Sequence, residues 1–182
     1  MGFLFEKEEN VYKNTPSKQD YGTPPEFIKA IEKRFGKITF DLAAHSKNYK
    51  NDNYFSLEKE QDSIKLNWPN GLNWLNPPFS PRPESPYDLH NWTKKCKDEI
   101  VDNDVTTLLL TPAAVGTNWF RDNVIGFADV YFLNGRLKFL HEDGQEPTGV
   151  QIDMMVSHYH NAKSKKGIFV WDWREDFLYT TA

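Results

Sequence analysis

Residues 92–110 read Trp92-Thr-Lys-Lys-Cys96-Lys-Asp-Glu-Ile100-Val-Asp-Asn-Asp-Val105-Thr-Thr-Leu-Leu-Leu110, and they contain two hydrophobic patterns in succession. Trp92, Cys96 and Ile100 recur at the spacing of one helix face, which predicts a helix. Residues 105–110 are an uninterrupted run of β-branched and apolar side chains, which predicts a buried strand. A helix that leads into a buried strand is the repeating unit of an α/β sheet.

The same alternation continues on both sides of this stretch. Helices are predicted where apolar residues recur with the helical period, at 24–35, ended by Gly36, and at 118–124. Strands are predicted in short apolar runs at 37–44, 72–75, 130–133 and 168–171. Residues 45–59 are predicted to be a loop with a short helix. Strands that alternate with helices favour an α/β fold whose sheet is mostly parallel and is covered by helices on both faces.

Composition limits the class of protein. A chain of 182 residues suffices for one well-cored domain, so residues 21–182 are predicted to form a single domain after a polar arm at 1–20. The formal charge of -4 gives no general attraction to a polyanion, so contact with nucleic acid requires a local basic patch. The single cysteine, Cys96, excludes an internal disulfide framework and fits a reducing cytoplasm. No secretory signal or membrane-spanning apolar run stands out, so a cytoplasmic protein without a membrane partner is predicted.

The loop after the strand at 72–75 carries the most specific chemical signal, Asn76-Pro77-Pro78-Phe79. Its two consecutive prolines lock the backbone and remove two amide donors. A polar side chain, a fixed carbonyl and an aromatic face in one loop suit methyl transfer to an amino group on an aromatic base. Such an amino group is a weak nucleophile because its lone pair is delocalised. Hydrogen bonds from its two hydrogens to the Asn76 side-chain oxygen and the Pro77 carbonyl favour the pyramidal, nucleophilic form. Phe79 offers a stacking face for a base flipped out of the helix, and the methyl donor is a sulfonium held beside it.

Asn76-Pro77-Pro78-Phe79 is similar to the catalytic motif of amino-directed DNA methyltransferases. Six further segments lie in the matching order at 21–27, 40–44, 62–68, 108–113, 117–120 and 135–139. On these residues the chain resembles the phage DNA N-6-adenine methyltransferase (Dam) family. The resemblance implies a Rossmann-like sheet that uses S-adenosylmethionine, with both pockets at the carboxyl ends of its strands. It also implies site-specific methyl transfer to the N-6 amine of a flipped adenine in double-stranded DNA.

The resemblance assigns cofactor contacts residue by residue. Asp41, at a strand end, is expected to accept from the methionine ammonium group, and Thr23 to bind the carboxylate through its hydroxyl. Asp62 is expected to accept from the amino group of the cofactor's adenine, beside an apolar wall of Ile64 or Phe40. The full predicted cofactor set is Tyr21, Thr23, Pro24, Asp41, Leu42, Ala43, Asp62, Ser63, Ile64 and Asn76. Residues 42–45, Leu-Ala-Ala-His, stand where many methyltransferases have a glycine-rich turn, and no residue is assigned to the ribose.

The predicted DNA contacts are Ser80, Arg82, Lys94, Arg136 and Lys138, side chains suited to holding phosphates. No residue is assigned to reading bases, and residues 150–168 leave about twenty positions for a recognition segment. No metal site is predicted, because four of the five histidines, His45, His141, His158 and His160, are not joined by a carboxylate or cysteine at ligand spacing. The oligomeric state is not determined by the sequence.

Pocket chemistry alone leaves several functions open. A proline-rich loop of this kind also suits the methylation of cytosine N-4 in DNA, of adenine in RNA, or of a glutamine side chain. The chain is also compatible with a catalytically silent, methyltransferase-like subunit that binds nucleic acid. The flanking segments favour adenine in DNA, and the intact Asn76-Pro77-Pro78-Phe79 argues against a silent subunit.

Overall fold

A computed structural model describes residues 22–81, 86–140 and 152–180. Within these ranges the chain forms three α-helices, one short 3₁₀ turn and seven strands. The helices are α1 (Pro25–Phe35), α2 (Leu89–Asn103) and α3 (Asn118–Asn123), and the 3₁₀ turn is Leu57–Lys59. The strands are β1 (Phe40–Asp41), β2 (Leu72–Leu75), β3 (Thr106–Pro112), β4 (Ala128–Asn134), β5 (Met154–Tyr159), β6 (Ile168–Asp172) and β7 (Phe177–Thr180). The predicted arm at 1–20, together with Tyr21, Arg82 and His141, lies outside the described residues.

The seven described strands form one mixed sheet in the order β1-β2-β3-β5-β4-β6-β7. β1, β2 and β3 are parallel neighbours, and β4 pairs in parallel with β6. β5 is antiparallel to both β3 and β4, and β7 is antiparallel to β6. Five of these strands therefore run in one direction and two in the other. The predicted α/β class with a mostly parallel sheet is confirmed at this level.

β5 lies at the centre of the sheet and corrects one expectation. The interval 150–168 is predicted to have room for a DNA-recognition segment, but residues 154–159 form β5 between β3 and β4. The β3–β5 register runs from Thr107 opposite Tyr159 to Pro112 opposite Met154. Every β5 residue except His158 is buried. These residues build the core and are not available to read DNA.

Helices cover both faces of the sheet, as predicted, because alternate strand residues point to opposite sides. On one face, Leu108 and Leu110 of β3 pack in a cluster with Phe27 and Ile31 of α1. On the other face, Leu109 packs in a second cluster with side chains of α2 and α3, including Trp92, Cys96 and Phe120. The two faces are called the α1 face and the α2 face below.

Local signals set the helix ends. α1 begins with Pro25 in its first turn, where a missing amide hydrogen costs nothing, and ends at Gly36 with a φ of 101°. α2 begins at Leu89, three residues before Trp92, the first residue of the helical pattern seen in the sequence. Asp88 accepts from the Asn91 amide while the Asn91 side chain accepts from the Asp88 amide, a capping box that extends the helix by a turn.

Candidate active site

The carboxyl ends of β1, β2 and β3 meet at one edge of the sheet, and this edge carries most of the predicted site. Asp41 ends β1 opposite Trp74, and Asn76 directly follows β2. The Leu42 amide donates to the Trp74 carbonyl at 2.9 Å, so the chain after β1 stays beside the chain after β2. Parallel strands bring residues 35 positions apart in sequence to neighbouring positions here.

Thr23 meets Asn76 across this edge. The Asn76 amide nitrogen Nδ2 donates to the Thr23 hydroxyl at 3.1 Å, and Thr23 is only 1% exposed. Gly22 holds Thr23 in place through a pair of backbone hydrogen bonds with Leu140, at 2.8 and 3.0 Å. The sequence predicted both residues as site residues, but their direct contact is a finding of the structure.

Asp41 is a buried carboxylate, 3% exposed. Its two oxygens accept from the backbone amides of Ala43 at 3.3 Å and Lys50 at 2.9 Å. Burial raises the pKa of Asp41 from 3.8 to about 6, although those two hydrogen bonds and the charge of Lys50 oppose the rise. The group is therefore an anion at neutral pH that lacks full compensation for its lost hydration.

Lys50 is a site residue that the sequence did not indicate. The loop at 45–59 folds back over β1, and the Asp41 amide donates to the Asn53 carbonyl at 3.0 Å. Burial lowers the pKa of the Lys50 ammonium, and the negative charge of Asp41 partly offsets this. Its Nζ donates to the Asn48 side-chain oxygen at 2.6 Å. No local pattern marks Lys50, because its role depends on where the loop closes.

The catalytic-motif residues differ in how far they are exposed. Pro77 is buried, and Asn76, Pro78 and Phe79 are half-buried. Phe79 packs against the hydrophobic cluster of the α1 face while part of its side chain stays exposed. Ser80, the next residue, is exposed. The motif thus runs from the buried Pro77 to the exposed protein surface at Ser80.

A second polar group lies at residues 61–64, on the α2 face. Asp62 accepts from the Tyr87 hydroxyl at 2.8 Å, from the Lys65 ammonium at 2.9 Å and from the Ile64 amide at 3.2 Å. Burial raises the pKa of Asp62, but the hydrogen bonds from Lys65 and Tyr87 outweigh burial, so the pKa is lowered overall. Tyr87 is a further residue that the sequence did not single out.

Apolar and polar groups flank Asp62. Ile64, Phe40 and Ala43 are half-buried against the cluster of the α2 face, and Leu42 is fully buried within it. The Ser63 hydroxyl oxygen and the Gln61 side-chain oxygen are buried without a hydrogen-bond partner among the described residues. Two orphaned polar atoms beside a carboxylate and an apolar wall are typical of a ligand pocket.

The predicted DNA contacts separate onto two faces. Arg136 and Lys138 are exposed on the segment after β4, which leads to Leu140 and its pairing with Gly22. Arg136 also pairs with Asp153 at 3.2 Å. Lys94 lies on α2, where its ammonium pairs with Asp98. The structure therefore brings Arg136 and Lys138, but not Lys94, to the α1 side of the site.

The described ranges contain neither a metal-binding cluster nor a membrane-spanning helix. Within them, no set of three or more histidine, cysteine, aspartate or glutamate side chains is placed to hold a metal ion. His158 and His160 stack on each other, and His160 pairs with Asp129. None of the described helices has the length and apolar character needed to cross a membrane.

Known proteins that are similar to this chain agree with the resemblance seen in its sequence. A family model described as DNA N-6-adenine-methyltransferase (Dam) matches residues 12–177. A DNA N-6-adenine-methyltransferase of Escherichia phage T1 is 31% identical over 127 residues, which cover 68% of this chain and 49% of the phage protein. The chain thus spans about half the length of that relative.

Proposed function

This chain belongs to the DNA N-6-adenine-methyltransferase (Dam) family, and from that premise we propose that it transfers a methyl group from S-adenosylmethionine to the N-6 amine of a flipped adenine in double-stranded DNA. The observation that carries the proposal is the meeting of Thr23, Asp41 and Asn76 at one sheet edge. An anionic group for the cofactor and an acceptor for the target amine are thereby held side by side.

The residues at this edge fit the proposed cofactor. When bound, S-adenosylmethionine supplies an electrophilic methyl group on a cationic sulfonium. Asp41 is a buried anion, and the cofactor's ammonium group is a cation that would compensate its charge. The orphaned oxygens of Gln61 and Ser63 flank Asp62, which accepts from the cofactor's adenine amine. The described residues that would hold the cofactor are Thr23, Pro24, Asp41, Leu42, Ala43, Asp62, Ser63, Ile64 and Asn76; Tyr21 belongs to the same proposed set.

Thr23 controls which atom Asn76 offers to the target base. Because Nδ2 of Asn76 donates to the Thr23 hydroxyl, Oδ1 is left to accept a hydrogen from the adenine amine. The Thr23 hydroxyl keeps its own hydrogen, which it can donate to the cofactor carboxylate. A single residue thus orients the target acceptor and contacts the methyl donor.

Asn76 and Pro77 then act together on the amine. The Asn76 side-chain oxygen and the Pro77 carbonyl accept its two hydrogens and stabilise the positive charge that develops on nitrogen as the lone pair attacks. Pro77 is buried and lies in a diproline turn, so its carbonyl is pre-oriented. Phe79, which is packed against the hydrophobic cluster of the α1 face, stacks against the flipped base.

Product identification tests the proposal. Purified protein is incubated with duplex DNA and S-adenosylmethionine, and the DNA is digested to nucleosides. Recovery of N-6-methyladenine is expected, and N-4-methylcytosine, methylated RNA only, or no product from any nucleic acid would contradict it. Asn76→Ala is the matched variant. At saturating S-adenosylmethionine it is expected to lose methyl transfer by about a hundredfold or more, because it lacks a transition-state acceptor.

A further inference from the structure

A groove of about 680 Å³ on the α1 face concentrates positive charge. It lies between α1, the segment after β4 and the turn between β6 and β7. Five basic side chains and two acidic ones line it: Lys29, Lys33, Arg136, Lys138 and Arg174, with Glu26 and Asp176. The chain as a whole carries a formal charge of -4, so this excess of positive charge is local. Local charge of one sign in a groove attracts a ligand of the opposite sign.

The basic side chains come from three segments that are held together. Lys29 and Lys33 are four residues apart and share one face of α1. On the opposite wall, the Arg174 guanidinium lies over the Trp173 ring at 4.4 Å and donates to the Arg136 carbonyl at 3.1 Å. The Trp173 indole in turn donates to the Gly135 carbonyl at 3.0 Å. The wall that carries Arg136 and Arg174 is therefore cross-linked by hydrogen bonds.

Both walls of the groove converge on the candidate active site. α1 begins two residues after Thr23, and the segment of Arg136 ends at Leu140, which pairs with Gly22. Thr23 contacts Asn76. Four residues of helix rise about 6 Å, and one DNA strand places a phosphate about every 3.4 Å along the helix axis. The rise from Lys29 to Lys33 is thus close to the spacing of every second phosphate of one strand, about 7 Å along the DNA axis.

We infer that duplex DNA docks on the α1 face with one phosphate backbone along this groove, an inference that rests on the proposed function. Lys29, Lys33 and Arg174 then join Arg136 and Lys138 in one phosphate track that ends at Asn76. Lys94, which lies on the α2 face, stays outside the track. Contacts of this kind set affinity and register without reading sequence.

Variants that remove the positive charge of groove lysines test the phosphate track. Lys29→Gln and Lys33→Gln are combined, because both side chains are exposed and glutamine preserves helix propensity. The matched control combines Lys163→Gln and Lys165→Gln in the exposed turn between β5 and β6, at the other end of the sheet. Binding of fluorescein-labelled duplex DNA of mixed sequence is measured by anisotropy across a range of salt concentrations. Melting temperatures verify that each variant is folded.

The groove variant is expected to bind DNA roughly tenfold or more weakly at about 0.1 M salt and to reduce the salt-dependence slope by about two, one for each lost phosphate contact. At saturating DNA its kcat should equal that of the unmodified protein, while KM for DNA rises. The control pair should change neither quantity. An unchanged slope in the groove variant, or a loss of affinity in Lys94→Gln instead, would overturn the inference. The proposed function is judged separately, by the methylated nucleoside that the unmodified protein forms.

Discussion

Replacing Asp41 by asparagine separates the stability of the fold from the binding of the cofactor. The difference between an ordinary pKa of 3.8 and about 6 means that ionising Asp41 costs the folded state about 3 kcal/mol. Because the folded-state pKa is the higher one, the stability contribution of Asp41 is full below about pH 4 and is lost as the pH rises through about 6. Neutral asparagine avoids this cost at neutral pH.

The stability that the neutral side chain gains for the fold is partly cancelled by a lost hydrogen bond. Asp41 accepts from two backbone amides, of Ala43 and Lys50, but asparagine has one oxygen and leaves one of these amides without its acceptor. An unsatisfied buried donor costs about 1 to 3 kcal/mol. Asp41→Asn is therefore expected to be as stable as the unmodified protein at pH 8, or about 1 to 2 kcal/mol more stable.

The affinity of Asp41→Asn for S-adenosylmethionine should fall, although its stability should not. Removal of one partner from a buried, hydrogen-bonded charge pair costs about 2 kcal/mol or more, which corresponds to about a thirtyfold loss of affinity for S-adenosylmethionine. In the unmodified protein a proton competes with the cofactor's ammonium group for Asp41. Affinity should accordingly fall below about pH 6, by up to about tenfold per pH unit, and the variant should lack this dependence.

Urea unfolding at pH 5 and pH 8 and calorimetric titration with S-adenosylmethionine over the same range measure both effects. The stability of the variant relative to the unmodified protein should be greater at pH 8 than at pH 5. Unchanged cofactor affinity in Asp41→Asn would refute the role of Asp41 in holding the ammonium group. A large loss of stability that is the same at both pH values would refute the reasoning from its buried charge.

Three further substitutions test other parts of the molecule. Thr23→Val keeps the shape of Thr23 but removes the hydroxyl that orients Asn76, so single-turnover methylation should slow by about tenfold or more. Thr23→Ser keeps the hydroxyl and should retain most activity. Equal methylation rates in the valine variant and the unmodified protein would argue against orientation through the hydroxyl. Tyr87→Phe removes a hydrogen bond that lowers the pKa of Asp62. It should weaken S-adenosylmethionine binding, measured by calorimetry, by about three- to tenfold. Tighter binding would show that Tyr87 competes with the cofactor for Asp62. Ile100→Ala opens a cavity at a side chain that is 1% exposed, so urea unfolding should show a loss of about 2 to 5 kcal/mol, and a loss below 1 kcal/mol would contradict its core position.

Local patterns were enough to predict the alternation of helices and strands and the position of the catalytic loop. α1 and β2 match the sequence-based prediction closely, because helical periodicity and a short apolar run before a diproline are signals carried by adjacent residues. The residue types of the site were likewise visible, since each strand-end residue can be recognised beside its own strand. Such signals do not depend on what the rest of the chain does.

The pairing of the strands and the contacts between residues distant in sequence are decided only by the tertiary structure. Sequence patterns do not predict β5, because its polar Ser157 and His158 break the apolar run and its place between β3 and β4 depends on residues far away along the chain. The contact of Thr23 with Asn76 and the closure of Lys50 over Asp41 likewise join segments that no local signal connects. A side chain's pKa and its contacts depend on which distant groups exclude water from it, and only the folded chain determines that.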